Sequence, residues 1–402
     1  MPLSGRLFRL LTSVVSPIVV VEAMLKTRRR VFGFLGRVHL PVVTRPQLRD
    51  GCGPWVTELF DKPDRTERAD PIIVGREPDE LASVPRSVEF KPPFVSVITG
   101  ATLMGGSALA LDSRRRIVLE SVGPDSDAGT PGFYALPLSS LVRRLQRRAD
   151  EAIEKPVCSL MTTFSRIYGH WLVEALPRLE GYEHFCRLSG ERPLLLIEDD
   201  APAWKLQSLE LMGYGRDDLL PWSGRTTNVK TLVLPSIRRQ SGWLEPRACE
   251  WLRERLVSAL PESSAPAYAR RVLISRGAAA GRRILNEDEL MAALSPFGFD
   301  RHQPETMHFA EEVRLFAGAE IVVAVHGSGL TNAVLSAKKP LVIDLFDDFW
   351  TPEFVRLAAT SGARYACVRS ESRKPAAGMR RAENDSVVDV DAIVRLISQQ
   401  LL

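Results

Sequence analysis

The chain has 402 residues, 45% of them hydrophobic and 25% charged, which is ordinary for a soluble globular protein and long enough for two cores. Its net charge of +4 is small for that length, so composition argues against a dedicated nucleic-acid binder. Arginine far outnumbers lysine, and arginine suits bidentate contact with small phosphorylated molecules. The five cysteines, Cys52, Cys158, Cys186, Cys249 and Cys367, are dispersed, and neither C-x-x-C nor a zinc-like Cys/His spacing occurs. That predicts a reducing compartment and no structural metal.

At the N-terminus, Leu10 to Leu25 is mostly apolar between basic flanks (Arg6 and Arg9, then Lys26 and Arg28 to Arg30). It contains Pro17 and Glu22 and falls short of the about 20 apolar residues that a spanning helix needs. Two readings stay open: a packed N-terminal helix, or peripheral attachment to the inner face of a membrane by residues 1–30. Residues 31–90 read as loops with a few strands. FVSVITGATLM, SALALD and RIVLES, from Phe94 to Ser121, predict a β-rich section between about 90 and 137. Leu138 to Ile153 has helical spacing with a basic face.

Thr162 to Leu179, TTFSRIYGHWLVEALPRL, is the next informative stretch. His170 and Glu174 stand one helical turn apart and share a face, and Pro177 ends or kinks the helix. Such a pair can serve as base and orienter, as two metal ligands, or as a satisfied structural contact. Pro193 to Asp199 reads as a strand, Trp204 to Tyr214 as a helix and Thr231 to Leu234 as a strand, an α/β pattern. Pro246 to Leu260 is an amphipathic helix and Ser263 to Ala269 a small-residue linker, which puts a domain boundary between about 236 and 266.

Beyond it the alternation is regular. Arg270 to Ser275 is a strand, and Asn286 to Leu294 is a helix in which Asn286 and Glu289 suit a cap. Met307 to Phe316 is a helix, Ile321 to Val325 a strand, Leu330 to Leu335 a helix start and Pro340 to Phe346 a strand. This predicts a parallel sheet with helices on both faces and a ligand at the carboxyl ends of its strands. The central element is AEIVVAVHGSGLTNAVL, Ala319 to Leu335. A β-branched run leads into His326-Gly327-Ser328-Gly329 and then into helical sequence, which suits an anion because helix-start amides and the helix dipole both favour negative charge. The dinucleotide fingerprint is absent, since Asn332 stands where its third glycine belongs. A serine nucleophile elbow is excluded by His326 and Leu330 at the positions two before and two after Ser328. Arg276, Arg282, Arg283, Asp344, Asp347 and Asp348 can gather at the same rim. Of two D-x-D strings, Asp125 to Asp127 falls in a glycine-rich loop, and Asp389 to Asp391 opens the last helix, where Asp is a natural cap.

Four motifs in order, YGHWLVEALPRL (168–179), VLISR (272–276), RRILNEDEL (282–290) and VVAVHGSGLTN (322–332), resemble the catalytic region of glycosyltransferase family 61. That family includes bacterial capsule-type enzymes, plant xylan-modifying transferases and animal protein O-N-acetylglucosaminyltransferases. The resemblance covers about 165–346. It implies a GT-B fold of two Rossmann-like domains facing across a cleft: an acceptor-side domain, 1–235, and a nucleotide-sugar domain, 236–402, whose last helix crosses back. It also implies inverting transfer from a nucleotide sugar, UDP-linked, to a glycan or lipid-linked glycan of a surface or capsular polysaccharide, and the placement of the two D-x-D strings predicts that the transfer is metal-independent. Arg276, Arg283, Gly327, Ser328, Gly329 and Asn332 would bind the donor, with Asp344 as a weaker match. His326 would stabilise the departing diphosphate, and His170 or Glu174 would deprotonate the acceptor, without a metal or cofactor. Against this stand a nucleotide-dependent oxidoreductase sharing only the sheet, and a non-catalytic glycan- or nucleotide-binding protein.

Overall fold

The computed structural model describes residues 42–123, 151–262, 267–277, 279, 281–373 and 384–401. The N-terminal apolar run, the first D-x-D string and nearly all of the basic helix expected at Leu138 to Ile153 lie outside these. Its end, Glu151–Ile153, is a strand paired with Thr227–Pro235. Among the described residues no helix is long and apolar enough to cross a membrane.

The protein is a mixed α/β molecule with two large sheets. The sheet of the C-terminal half has six strands in the order Phe299–His302, Arg271–Ile274, Ile321–Val325, Leu341–Phe346, Arg364–Arg369, Ile72–Val74. Every pairing in it is parallel. Each crossover runs through a helix, as parallel strands require. Ile321–Val325 and Leu341–Phe346 are buried at every position, which explains their unbroken apolar sequence. Successive side chains divide between two cores. Leu273, Val323 and Ile343 face one side with Leu290 and Leu294. Val272, Val322 and Val342 face the other with Phe309, Val313 and Phe316.

Chain order reverses between Arg271–Ile274 and Ile321–Val325: from the first the chain steps outward to Phe299–His302, then returns to lay down Ile321–Val325 on its other side. Helices leave in opposite directions there, which opens a crevice above the strand ends.

The first half is built differently from the two-Rossmann expectation. Its sheet has ten strands, of which Val157–Ser159, Leu194–Glu198 and Leu219–Trp222 run parallel, whereas the long central strand Phe94–Met104 pairs antiparallel with Thr227–Pro235 and Trp55–Leu59. The halves also share one apolar core: Trp171, Leu172 and Leu176 cluster with Val272, Phe309 and Leu335.

The expected crossing of the last helix is corrected. In Val390–Leu401, Ile393, Leu396 and Ile397 pack into the core of the C-terminal sheet, because its apolar stripe matches that face. The segment that crosses is Ile72–Val74, an edge strand from the N-terminal half. Asp389 accepts from the Ala392 N–H at 2.9 Å, the capping contact expected of it. Asn286 does not cap its own helix. Its side chain instead pairs with both backbone groups of Val388, holding the hairpin strand Asp385–Val387 against the helix start.

Candidate active site

The crevice at the order reversal holds a cavity of about 300 Å³. It is lined by the ends of both strands (Ile274, Ala324, Val325), by Arg276, and by Gly327, Ser328, Gly329 and Asn332 of the glycine turn. Tyr168 and Trp204 close it from the first half, and Glu305, Met307 and Glu312 from the chain before and within helix Phe309–Ala317. Its volume lies at the low end of ligand pockets, and its apolar walls with few convergent polar groups fit that class.

The turn is built as the sequence indicated, with a tighter helix. Ser328–Leu335 is a 3-10 helix packed against helices Phe309–Ala317, Pro246–Ser258 and Glu353–Ser361. Its first amides have no intrahelical acceptor, and the residues that carry them, Ser328 and Gly329, line the cavity. A side chain at Gly169 would come within 2.9 Å of Thr331 Oγ1 and 3.4 Å of Ser328 Oγ. Only glycine allows Tyr168–His170 to lie this close to the turn. That approach ties the first-half motif to the second-half site.

Arg276 stands two residues past the end of Arg271–Ile274 and is half-buried. Among the described residues its guanidinium makes one long hydrogen bond, Nε to the Gly281 carbonyl at 3.5 Å, and no carboxylate pairs with it. Burial lowers its pKa, with Glu305 opposing from a distance. A desolvated cation without a carboxylate on a cavity wall is an anion contact in waiting.

Arg283, expected beside it, is not at the cavity. Its guanidinium makes a two-pronged pair with Asp385, down to 2.6 Å, because the hairpin strand Asp385–Val387 draws it to the outer edge. The preceding residue takes the position at the turn: Arg282 Nη1 donates to the His326 carbonyl at 3.0 Å and lies 3.1 Å from where a Gly327 Cβ would stand. Arg282 has a positive φ of 58°, which turns its side chain inward, and nothing in the local sequence announced that.

His326 and Asp344 are also corrected. The His326 ring is buried and faces away from the cavity, among Phe349, Trp350 and Phe354. Its Nδ1 meets Asp344 Oδ2 at 2.8 Å, and its Nε2 accepts from the Thr351 N–H at 3.0 Å. An amide can only donate, so Nε2 carries no proton and Nδ1–H must donate to Asp344. Asp344 also accepts from Tyr365 Oη at 2.5 Å on the same oxygen, and its other oxygen is buried, so neither residue presents an atom to the cavity. Asn332 lines the cavity but is itself buried, held by Tyr168 and Glu312. Asp347 and Asp348 stay at the rim, bonded to Ser372 and Arg369.

The second predicted cluster does assemble. His170 Nδ1 meets Glu174 Oε1 at 2.7 Å, in a helix that passes from α at Tyr168–His170 to π at Trp171–Ala175. Widened π turns recur at functional sites. The His170 side chain keeps a third of its surface exposed and stacks on Phe164. Glu174 is buried and takes a second bond from Arg239 Nη1 at 2.6 Å, while Arg239 Nη2 reaches Glu353 at 2.7 Å. Burial disfavours protonation of His170, but the charge and hydrogen bond of Glu174 outweigh it and the pKa rises. Burial likewise works to raise Glu174, and the contacts with His170 and Arg239 bring it below its ordinary value. With Nδ1–H committed to Glu174, Nε2 is left as a proton acceptor at the surface. Arg239 and Glu312 were missed: Arg239 lies 65 positions from its partner, and Glu312 looks like any acid in an amphipathic helix.

These elements make a parallel α/β domain with an anion-suited cavity at its switch point, lined by Tyr168 of the helix that also carries His170. A model of the family described as Glycosyltransferase 61 matches residues 168–343, which span the histidine helix, Arg276 and the glycine turn. The chain therefore carries a glycosyltransferase family 61 domain over these residues. No curated protein matches the chain. Among solved structures it is similar to the bacterial iron-containing dodecameric glycosyltransferase TibC from enterotoxigenic E. coli H10407, at 13% identity and a TM-score of 0.25, over 65% of this chain and 78% of that one. At that level of superposition the likeness carries no argument.

Proposed function

We propose that the protein is an inverting glycosyltransferase that moves a sugar from a nucleotide-sugar donor, UDP-linked, to a glycan or lipid-linked glycan acceptor of a surface or capsular polysaccharide. The observation that carries this reading is Arg276, a half-buried guanidinium with no carboxylate partner among the described residues, opposite the glycine turn inside the family 61 domain. A nucleoside diphosphate supplies the anion this arrangement lacks. Arg276 and the amides of Ser328 and Gly329 take the diphosphate, with Arg282 stiffening the turn through the His326 carbonyl. Charge that builds on the leaving diphosphate then meets fixed donors in a partly dry site.

His170 is the base. Glu174 holds its Nδ1–H, so Nε2 removes the proton of the acceptor hydroxyl as that oxygen attacks the anomeric carbon from the face opposite the leaving group. Glu174 is itself too buried to reach an acceptor and orients the ring. His326 and Asp344 position the turn and take no part in proton transfer. Side chains alone account for both tasks, so the reading invokes no metal or cofactor. All five cysteines are free thiols, which fits a reducing compartment.

The test is incubation with a panel of nucleotide sugars, with and without chelator, following nucleotide release and sugar transfer by NMR. Wild-type protein is expected to release nucleoside diphosphate in the presence of acceptor. His170→Ala is expected to bind the donor without turnover. Binding of NAD alone would sink the reading, and donor binding without transfer to a broad acceptor panel would favour a non-catalytic binder.

A further inference from the structure

On the cavity wall, three side chains form a triangle with too few protons. Tyr168 Oη lies 2.6 Å from Asn332 Oδ1 and 3.0 Å from Glu312 Oε2, and Asn332 Nδ2 lies 3.4 Å from the same Glu312 oxygen. Each edge needs a hydrogen, and the phenol brings only one. As the amide is placed, Tyr168 donates to Asn332 and Asn332 donates to Glu312, which leaves the Tyr168–Glu312 edge without a proton. With the amide turned over, Asn332 donates to Tyr168 and Tyr168 donates to Glu312, and the Asn332–Glu312 edge is left with two facing oxygens. The 2.6 Å edge has the length of an O–H···O bond rather than an N–H···O bond, which favours the amide as placed, and the hydrogen of the Tyr168–Glu312 edge then comes from Glu312.

We propose that Glu312 is held as a neutral carboxylic acid and that its other oxygen, Oε1, reads a hydrogen-bond donor on the uncharged, base-bearing part of the nucleotide. This rests on the donor-site reading above. Glu312 is only 4% exposed yet lines the cavity, and Oε1 has no hydrogen-bond partner among the described residues. Arg276 and the glycine turn claim the diphosphate, while Tyr168, bonded to Glu312, and Trp204, edge-on to Tyr168, give the wall beside Glu312 the aromatic surface that suits a base. A carboxylate there would repel the carbonyl oxygens of a base, whereas the acid accepts an N–H without charge.

The surroundings support a proton on Glu312. Burial pushes its carboxyl up to about 7, against the contacts with Tyr168 and Asn332 and with help from Glu305. Helix Ala203–Leu211 brings neutral Gln207, which is bonded to the Phe309 amide. Helix Pro246–Ser258 also packs on the Glu312 helix, but its Cys249 and Arg253 bond to the Val334 and Ser336 carbonyls. The cation on the cavity wall is Arg276, which faces Glu305 more closely in its electrostatics than Glu312.

The experiment is calorimetric binding of UDP, GDP and inorganic pyrophosphate to wild-type protein, Glu312→Gln and Glu312→Ala at pH 6 and pH 8.5, with thermal melts to confirm folding. Gln supplies the triangle's hydrogen and the free oxygen at every pH, so it stands for the neutral acid. Wild-type affinity for the preferred nucleoside diphosphate is expected to fall by up to roughly 30-fold between the two pH values, the drop in neutral fraction of a group titrating at about 7. Glu312→Gln should match wild type at pH 6 and lose little at pH 8.5, and Glu312→Ala should bind the nucleotide weakly at both. Pyrophosphate should respond to neither substitution. Parallel pH profiles for wild type and Glu312→Gln, or loss of pyrophosphate binding in Glu312→Ala, would overturn the proposal while leaving the donor site standing. If folded wild type binds none of the three ligands, the donor-site reading falls, and this proposal with it.

Discussion

Among the described residues stand two histidine–carboxylate pairs of nearly equal length, His170–Glu174 at 2.7 Å and His326–Asp344 at 2.8 Å, and they have opposite fates. In the first, one ring nitrogen is held and the other is left at the surface. In the second, both nitrogens are used, and the ring is enclosed by three aromatic side chains. A carboxylate beside a histidine therefore says little about catalysis until the second nitrogen is accounted for. His326 is a bolt between the strand end and the segment around Thr351. His170 is held by one nitrogen only and keeps a third of its side chain exposed, which is what the proposed base needs.

The comparison breaks most visibly on turnover. His170→Ala is expected to lower kcat by about 10²- to 10⁴-fold, the usual contribution of a positioned general base, with the melting temperature little changed because the side chain is part-exposed. His326→Ala is expected to do the reverse. It should cost about 3 kcal/mol or more of stability, since it hollows an aromatic pocket and takes from buried Asp344 its imidazole donor. Chemical denaturation paired with donor-binding assays would separate the two. A His326 variant that keeps wild-type stability but loses all turnover would return that residue to the reacting centre. Next in size is Arg276→Ala, expected to weaken nucleoside diphosphate binding about ten- to a hundredfold, the contribution of a charged hydrogen bond, with folding intact. Unchanged affinity in titrations would remove the diphosphate from that wall.

The same pairs mark how far the sequence could be read. Strand and helix alternation after residue 270 was legible because each element carries its own apolar period, and Ile321–Val325 emerged as predicted. The spacing of His170 and Glu174 is local, so their contact could be read from one turn of helix. What could not be read is direction across the sheet. His326 follows a strand of which every residue is buried, and only the arrival of Thr351 and Phe354 from later in the chain decides that its ring turns inward. The exchange of roles between Arg282 and Arg283 has the same origin: Asp385, 102 positions on, captures one guanidinium and leaves the other over the turn. Phe299–His302 escaped detection as a strand because an edge strand needs no apolar run. The antiparallel architecture of the first half likewise depends on long-range pairing of Phe94–Met104 with Thr227–Pro235, which neither segment's own pattern specifies.

The smallest expected effect tests whether the first pair is tuned or merely adjacent. His170 must be neutral to accept a proton, and its pKa lies above the ordinary value of about 6.5, so kcat/KM should fall on the acid side with a midpoint higher than that. Glu353 contributes to the rise at long range, past Arg239, which lowers it. Glu353→Gln should therefore move the acid limb downward only slightly, while Glu174→Gln, which removes the main opposing charge and leaves burial and Arg239 opposed only by Glu353, should move it down much further. Stability follows the opposite sense. A histidine whose folded pKa is raised contributes stability that is full below its unfolded value and fades as pH rises through the folded one. Glu174, held low, contributes above its own unfolded value and loses that contribution as pH falls through its folded one. Their joint contribution is thus greatest between about 4.5 and 6.5, below the range where the base is active. Equal acid limbs in wild type and Glu174→Gln would mean that the carboxylate holds the ring in place without setting its proton affinity.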